Sequence, residues 1–302
     1  MIEVAATADV APFAARREAI DAAMSALSER SLGVLPTAVA DAIRYSLSGG
    51  GKRMRGILVS CAFEAAGGKG DASPLAAAVE VVHAYSLVHD DLPCMDDDDV
   101  RRGRPTVHRV YGVAAATAAG LAMVPLAARG AVDACRGLAL DARVTGEIVA
   151  DLMRAAGAGG MIGGQLLDLE GEGTPLSLAG LERVHRAKTG ALITASATLG
   201  GRAARTTPER LAALARYGAA IGLAFQIADD VLDVTATSDQ LGKTAGRDEA
   251  LSNSTYPALL GVEGAKRRAQ ALVRDACDAL AGAGLLTGDL ARIARFTVER
   301  TS

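Results

Sequence analysis

The chain has 302 residues, half of them hydrophobic but only 3% aromatic, with no tryptophan, four cysteines and a net charge of −3. That length holds one large domain or two ordinary ones and buries a core either way, and without a basic stripe or Lys/Arg-rich tail nucleic acid is excluded as the expected partner. Cys61, Cys94, Cys135 and Cys277 form no CxxC pair and no disulfide framework, a usage that fits a reducing cytoplasm.

Glu3 and Asp9 precede the first arginine, Arg16, so no secretory signal is expected. Most of the apolar content is Ala, Leu and Val, and the strong helix formers among them favour an all-helical protein. Residues Ala14 to Arg30 and Thr37 to Leu47 carry apolar positions at three- and four-residue spacing, as amphipathic helices do. Pro36 suits the start of the second. A glycine-rich turn follows, Ser48-Gly49-Gly50-Gly51-Lys52-Arg53-Met54-Arg55-Gly56, leading into an apolar helix from Ile57 to Ala66. Glycines let backbone amides approach a ligand, and Lys52, Arg53 and Arg55 set three cations beside them, which suits a phosphate. It is no Walker loop, because Arg53 stands where Ser or Thr must follow the lysine.

Asp71-Ala72-Ser73-Pro74 predicts a helix start, and the helix through His83 ends in Asp90-Asp91-Leu92-Pro93-Cys94-Met95-Asp96-Asp97-Asp98-Asp99. Six carboxylates fall within those ten residues, and Arg101 and Arg102 stand behind them. Two unit charges about 6 Å apart repel by roughly 2 to 3 kcal/mol at an effective dielectric near 20. The run is therefore a solvated turn or a site for cations. A short polar loop from Arg101 to His108 follows, then the longest uncharged run, Val110 to Ala128. Its Ala and Gly content, with Thr117 and Pro125 inside, predicts a buried helix rather than a membrane span.

Gly157 to Gln165 contains five glycines in nine residues, which in a helix allow close packing or a kink. Lys188-Thr189-Gly190 lies between apolar residues, where a lone lysine ordinarily reaches out to solvent. An apolar helix from Ala212 ends in Asp229-Asp230-Val231-Leu232-Asp233, whose three- and four-residue spacing puts the carboxylates on one face. Behind them stands Leu241-Gly242-Lys243-Thr244, repeating the order helix, acids, loop, cation. Further helices are expected at Lys266 to Ala281 and Thr287 to Val298, and no composition shift or linker divides the chain.

Magnesium takes hard oxygen ligands and commonly bridges one or two carboxylates to substrate phosphates, a chemistry that two opposed acid clusters with basic loops would serve. An EF-hand needs alternating acids and a central glycine, which are missing, and no nucleophile elbow or paired metal-binding histidines occur.

These motifs, in this order, resemble those of the trans isoprenyl diphosphate synthases, closest to the bacterial farnesyl and geranylgeranyl types. The likeness rests on Gly50-Gly51-Lys52-Arg53-Met54-Arg55, the first acid motif with Arg101-Arg102-Gly103, Gly163-Gly164-Gln165, Lys188-Thr189 and Asp229-Asp230-Val231-Leu232-Asp233. It implies one all-α domain over residues 1–302, a bundle of roughly ten or more helices around a central cavity. It further implies Asp90, Asp91, Asp96, Asp229, Asp230 and Asp233 as ligands of about three Mg2+ ions beside substrate phosphates. Arg101, Lys188 and Lys243 would grip the allylic diphosphate. Isopentenyl diphosphate would lie against Lys52, Arg55, His83 and Arg102, with Thr189, Gln226 and Gln165 at the reacting centre. Tyr85 and Ser86, one turn before the acids, would floor the pocket, and the bulky Tyr85 with the Pro93 insertion resembles enzymes that stop at fifteen carbons. A cytoplasmic homodimer is implied as well.

Two departures stand out: Leu121 follows Gly120 where the family usually has an aspartate, and Asn253 precedes Ser254-Thr255-Tyr256-Pro257 where it has a lysine. They leave open a weakly active or non-catalytic relative or partner subunit; on chain length the alternative is a C10 or C20 product. A terpene cyclase fits less well, because its cavity is lined with aromatics and this chain has four Phe, five Tyr and no Trp.

Overall fold

The computed structural model describes residues 11–171, 173–235 and 254–299. Of the described residues 79% are helical, which bears out the all-α expectation. In chain order the helices are α1 (Ala14–Ser31), α2 (Thr37–Leu47), α3 (Met54–Ala65), α4 (Ser73–Asp90), α5 (Val107–Tyr111), α6 (Val113–Gly137) and α7 (Ala142–Ala156). Then come α8 (Met161–Gly171), α9 (Leu178–His185), a π turn (Arg186–Gly190), α10 (Ala191–Ala203), α11 (Pro208–Thr235), α12 (Tyr256–Leu260), α13 (Val262–Gly282) and α14 (Gly288–Glu299).

Local chemistry sets the ends. Pro74 stands in the first turn of α4, where its missing N–H costs nothing, and the Asp71 carboxylate accepts the Ser73 N–H at 2.8 Å. The α7 helix, which the sequence reading did not single out, opens on Asp141 accepting from the Val144 N–H at 2.9 Å.

Helix α4 lies at the centre. Buried residues occur all round it, from Leu75 and Val79 to Tyr85 and Val88, as expected of a helix packed on every side. It contacts α6, α1 and α3, while α11 packs against α13 and α10. A core poor in aromatics fills its volume by bringing thin helices close together. A β-carbon on Gly200 of α10 would stand 2.4 Å from the Val59 carbonyl oxygen of α3, so that crossing needs a glycine. Nearly all the buried apolar side chains among the described residues form one contiguous cluster.

The uncharged run beginning at Val110 is split: Val110 and Tyr111 close α5, and from Val113 it becomes α6, which continues past Arg129 to Gly137 with Pro125 inside it. Both α6 and α11 are long and apolar enough to cross a membrane by length and composition, with 39% and 56% of their apolar windows buried. In this fold they are bundle helices packed against α4 and α10. The segment read as a polar loop carries a small antiparallel hairpin, β1 (Val100–Arg101) with β2 (Arg104–Pro105), and buries Thr106, Val107 and His108 behind it.

Candidate functional site

A cavity of about 1190 Å3 opens between α3, α4, α6, α8 and α11. Its wall carries Lys52, Arg55, His83, Tyr85, Ser86, Asp90, Arg102, Gln165, Lys188, Thr189, Gln226 and Asp229, twelve of the residues that the sequence pointed to. Leu121, Val124, Ile162, Leu166 and Leu169 make its other side apolar. Asp91, Asp96, Arg101, Asp230 and Asp233 do not line it, and Lys243 lies outside the described residues.

At the end of α4, neighbouring acids part company because successive helical residues point about 100° apart. Asp90 faces the cavity, and burial, with Asp96 and Asp91 nearby, outweighs Lys188 and Arg101 and pushes its carboxyl up to about 7. Asp91 turns away. Only 3% exposed, it lies 2.5 Å from Nη2 of Arg101 and accepts from Nε at 2.6 Å, while Asp98 holds the same guanidinium at 3.3 Å. Burial pushes the Asp91 carboxyl up, and the Arg101 bond opposes the shift. Arg101 is thus the partner of the acids within this structure. Asp99 is mostly exposed and pairs with Arg109 at 3.2 Å, as a solvated turn would.

The second acidic end repeats the division. Asp229 faces the cavity beside Gln226. Asp230, buried, accepts the Tyr256 backbone N–H at 2.9 Å and ties α11 to α12. Asp233 is buried as well, and its Oδ2 has no hydrogen-bond partner among the described residues; Oε1 of Gln165 is a second such atom, while Nε2 of that side chain reaches Oδ1 of Asp96 at 3.5 Å.

The basic wall comes from the glycine-rich turn and from Arg102. A β-carbon on Gly51 would stand 2.6 Å from Nη1 of Arg102, so the glycine lets that guanidinium lie on the loop, where it donates to the Gly50 carbonyl at 2.5 Å. Arg53 takes a structural part: it is buried, adopts the left-handed conformation (φ 51°), and donates to Asp21 at 2.7 Å and to the Leu47 carbonyl at 3.0 Å. Burial, with Arg55, Arg102, Arg101 and Arg53 around it, holds His83 well below the usual imidazole range and therefore neutral at pH 7. Lys52 stands 5.2 Å from the ring centre of Phe296 on α14.

Close backbone packing places Lys188 and Thr189. A β-carbon on Gly164 would be 2.1 Å from the Lys188 nitrogen, and one on Gly222 would be 3.0 Å from the Gly190 α-carbon. The π turn is therefore clamped between α8 and α11, and within the 157–165 stretch it is Gly164 that serves this close approach. A π turn inserts one extra residue into a helix, a common device at functional sites. Lys188 does not reach out to solvent: its ammonium is paired with Asp168 at 2.5 Å. Glu80, His89, Asp168 and Phe296 were missed by motif reading. Helical spacing offered a signal for three of them: Glu80 is three residues before His83, His89 four after Tyr85, and Asp168 three after Gln165.

Does this donor set suit magnesium? Among the described residues no three His, Cys, Asp or Glu side chains gather closely enough to cage an ion. Magnesium does not need such a cage when one or two carboxylates and substrate phosphates share it. Hard oxygens at Asp90 and Asp229, with the Asp233 Oδ2 that no described residue satisfies behind them, fit that mode.

Residues 36–280 match the family described as polyprenyl synthetase. The chain is 45% identical over 269 residues to a farnesyl diphosphate synthase of Escherichia coli, covering 87% of this chain and 90% of that one. It is 43% identical over 251 residues to geranylgeranyl pyrophosphate synthase 12 of Arabidopsis thaliana, with 82% and 69% covered. Among solved structures, a geranyltransferase of Helicobacter pylori complexed with magnesium and isoprenyl diphosphate superimposes with a TM-score of 0.80 at 30% identity, covering 96% of each chain.

Proposed function

Because the chain belongs to the polyprenyl synthetase family and is a trans-prenyltransferase of isoprenoid synthesis, we propose that it condenses dimethylallyl or geranyl diphosphate head to tail with isopentenyl diphosphate and stops at farnesyl diphosphate. One observation carries this reading: a single cavity has cations on one wall, acids from two helix ends, and an apolar limb for a hydrocarbon chain.

Lys52, Arg55, Arg102 and His83 bind the isopentenyl diphosphate, with neutral His83 serving as a hydrogen-bonding partner rather than a charge. Lys188 grips the allylic diphosphate together with Lys243. Asp90 and Asp229 hold Mg2+ with Asp96, and Asp91, Asp230 and Asp233 complete the acid clusters behind them. When bound, the metal stabilises the negative charge that grows on the departing diphosphate, which is worth several kcal/mol. The cavity wall keeps water from the allylic cation, with Gln226 and Thr189 beside it and Gln165 across from them. The double bond of isopentenyl diphosphate attacks that cation, and the proton then lost goes to the released diphosphate, so no protein nucleophile takes part.

Tyr85, 3% exposed at the cavity wall, supports a fifteen-carbon product. The plant relative's name favours twenty carbons as the second reading. Residues 1–302 form one synthase domain in this proposal, acting as a cytoplasmic homodimer. Four free cysteines support the reducing compartment.

Incubation with isopentenyl diphosphate and each allylic primer, with Mg2+ and with chelator, tests the proposal. Mass analysis is expected to find C15 as the main product and none after chelation. No prenyl product with any primer would leave a non-catalytic relative, and a C20 main product would favour the second reading.

A further inference from the structure

We propose that His89, seated in the gap left by Gly120, is the positioning residue that braces Tyr85 and thereby fixes product length; this deepens the fifteen-carbon reading and rests on it. A stop residue faces pressure from the growing chain, because burying another isoprene unit favours swinging the ring aside. Packing alone resists that weakly. Tyr85 is instead held at both ends.

Its hydroxyl donates to the Ala156 carbonyl at 3.1 Å. Ala156 is the last residue of α7, so this carbonyl has no partner within its helix, and a buried phenol likewise needs an acceptor. One bond satisfies both groups. On the other side the Tyr85 ring meets the His89 ring edge to face, with centres 5.7 Å apart and planes at 88°. The two residues are four apart on α4, neighbours on one face of the helix.

His89 is itself fixed by α6. Its Nε2 donates to the Thr117 carbonyl oxygen at 3.2 Å, an atom that can only accept, so the proton sits on that nitrogen. A β-carbon on Gly120 would stand 2.0 Å from Nε2 and 2.3 Å from Cδ2. The imidazole thus occupies the space of a missing side chain. From Gly120 through His89 and Tyr85 to Ala156, one strut runs from α6 through α4 to α7 along the cavity wall. Gly120 makes room for this contact, whereas the next residue, Leu121, departs from the resembled pattern.

The test compares product lengths made by the full enzyme from geranyl and isopentenyl diphosphates with Mg2+, for the wild type, Tyr85→Ala, His89→Ala, His89→Phe and the Tyr85→Ala/His89→Ala pair. His89→Ala is expected to raise the C20 to C15 ratio about three- to tenfold, the equilibrium value of one aromatic pair. His89→Phe restores the ring edge and returns the ratio toward wild type. The double variant makes nothing longer than Tyr85→Ala alone, because the brace acts only through the tyrosine. If His89→Ala fails to fold, His89→Leu fills the gap without a ring and is expected to lengthen products likewise. Unchanged lengths in His89→Ala or His89→Leu, with longer products from Tyr85→Ala, would overturn the brace and leave the stop in place. Unchanged lengths from Tyr85→Ala would overturn the stop, and the brace with it.

Discussion

At the end of α4 the acids run on into a turn, and Asp91 is neutralised by a side chain, the guanidinium of Arg101. At the end of α11 the acids stay within the helix, and Asp230 is satisfied by a backbone group, the Tyr256 N–H. Both clusters sit at helix C-termini, where the macrodipole disfavours negative charge. Both divide the work the same way: one carboxylate faces the cavity while its neighbour secures the surrounding chain. The first end is secured through charge. The second is secured through a hydrogen bond to the chain beyond residues 236–253, so it couples the acids to the placement of α12.

The largest effect should come from the cavity-facing pair. Asp90→Asn and Asp229→Asn are each expected to lower kcat by about a thousandfold or more, from the loss of several kcal/mol of transition-state stabilisation, with little change in Tm. Steady-state turnover and calorimetry check this. An equal loss of turnover in Asp91→Asn or Asp230→Asn would break the division of labour.

Acid should then separate the two ends. His185 packs against Tyr256 with ring centres 5.6 Å apart, and its Nδ1 is buried without a hydrogen-bond partner among the described residues. Burial pulls its pKa down to about 4, although Asp168, Asp229 and Glu182 favour the proton and Lys188 opposes it. The unfolded chain binds this proton below the ordinary value of 6.5, and the folded chain binds it only near 4. The contribution to stability is therefore intact above pH 6.5 and is lost as pH falls from 6.5 toward 4. His185→Gln should flatten that slope by up to about 3 kcal/mol in denaturant titrations at successive pH values. A slope identical to wild type would show that the second end does not sense acid through His185.

Smaller again is the ion pair. Asp91→Asn should cost about 2 kcal/mol of stability, less than the roughly 3 to 5 of a fully buried pair because Arg101 is partly exposed. A double-mutant cycle with Arg101→Gln reads the coupling directly, and zero coupling would deny the charge-based account. The smallest change belongs to Asp230→Asn. The amide oxygen still accepts from Tyr256, so the expected cost is under about 1 kcal/mol, whereas Asp230→Ala strands a buried N–H and costs about 1 to 3. Equal losses in both variants would mean that the charge, not the acceptor, matters there.

Much of this was legible in the sequence, for identifiable reasons. Periodic apolar spacing located α2 at its observed bounds and α1 to within a residue, because those helices bury one face. Capping chemistry at Asp71-Ala72-Ser73-Pro74 located the start of α4. The motif order brought twelve residues to one cavity. The split between Asp90 and Asp91 was hidden, since two adjacent aspartates read alike until helical phase turns them apart. The membership of Arg101 in the acid cluster was equally hidden, because motif order does not say whether a cation meets a substrate or a neighbouring carboxylate. Ile162, 52% exposed yet lining the cavity, was concealed by the opposite problem: on a composition scale it is an ordinary apolar residue, whereas its neighbour in the wall, Leu121, showed itself only as a departure from the resembled pattern.

The π turn at Arg186–Gly190 bears on which insertions and deletions the chain can accept. Removing one residue there would let the backbone relax into a continuous α-helix from Leu178 to Ala203, so locally the deletion is cheap. Yet the two flanking helices would turn by about 100° and slide by about 1.5 Å relative to each other. Lys188 would leave Asp168, and the face that Gly164 and Gly222 accommodate would rotate away. The segment most tolerant of length change by its own hydrogen bonding is thus the one where a frame-preserving deletion would do the greatest harm, and sequences that keep this site must keep its odd residue count.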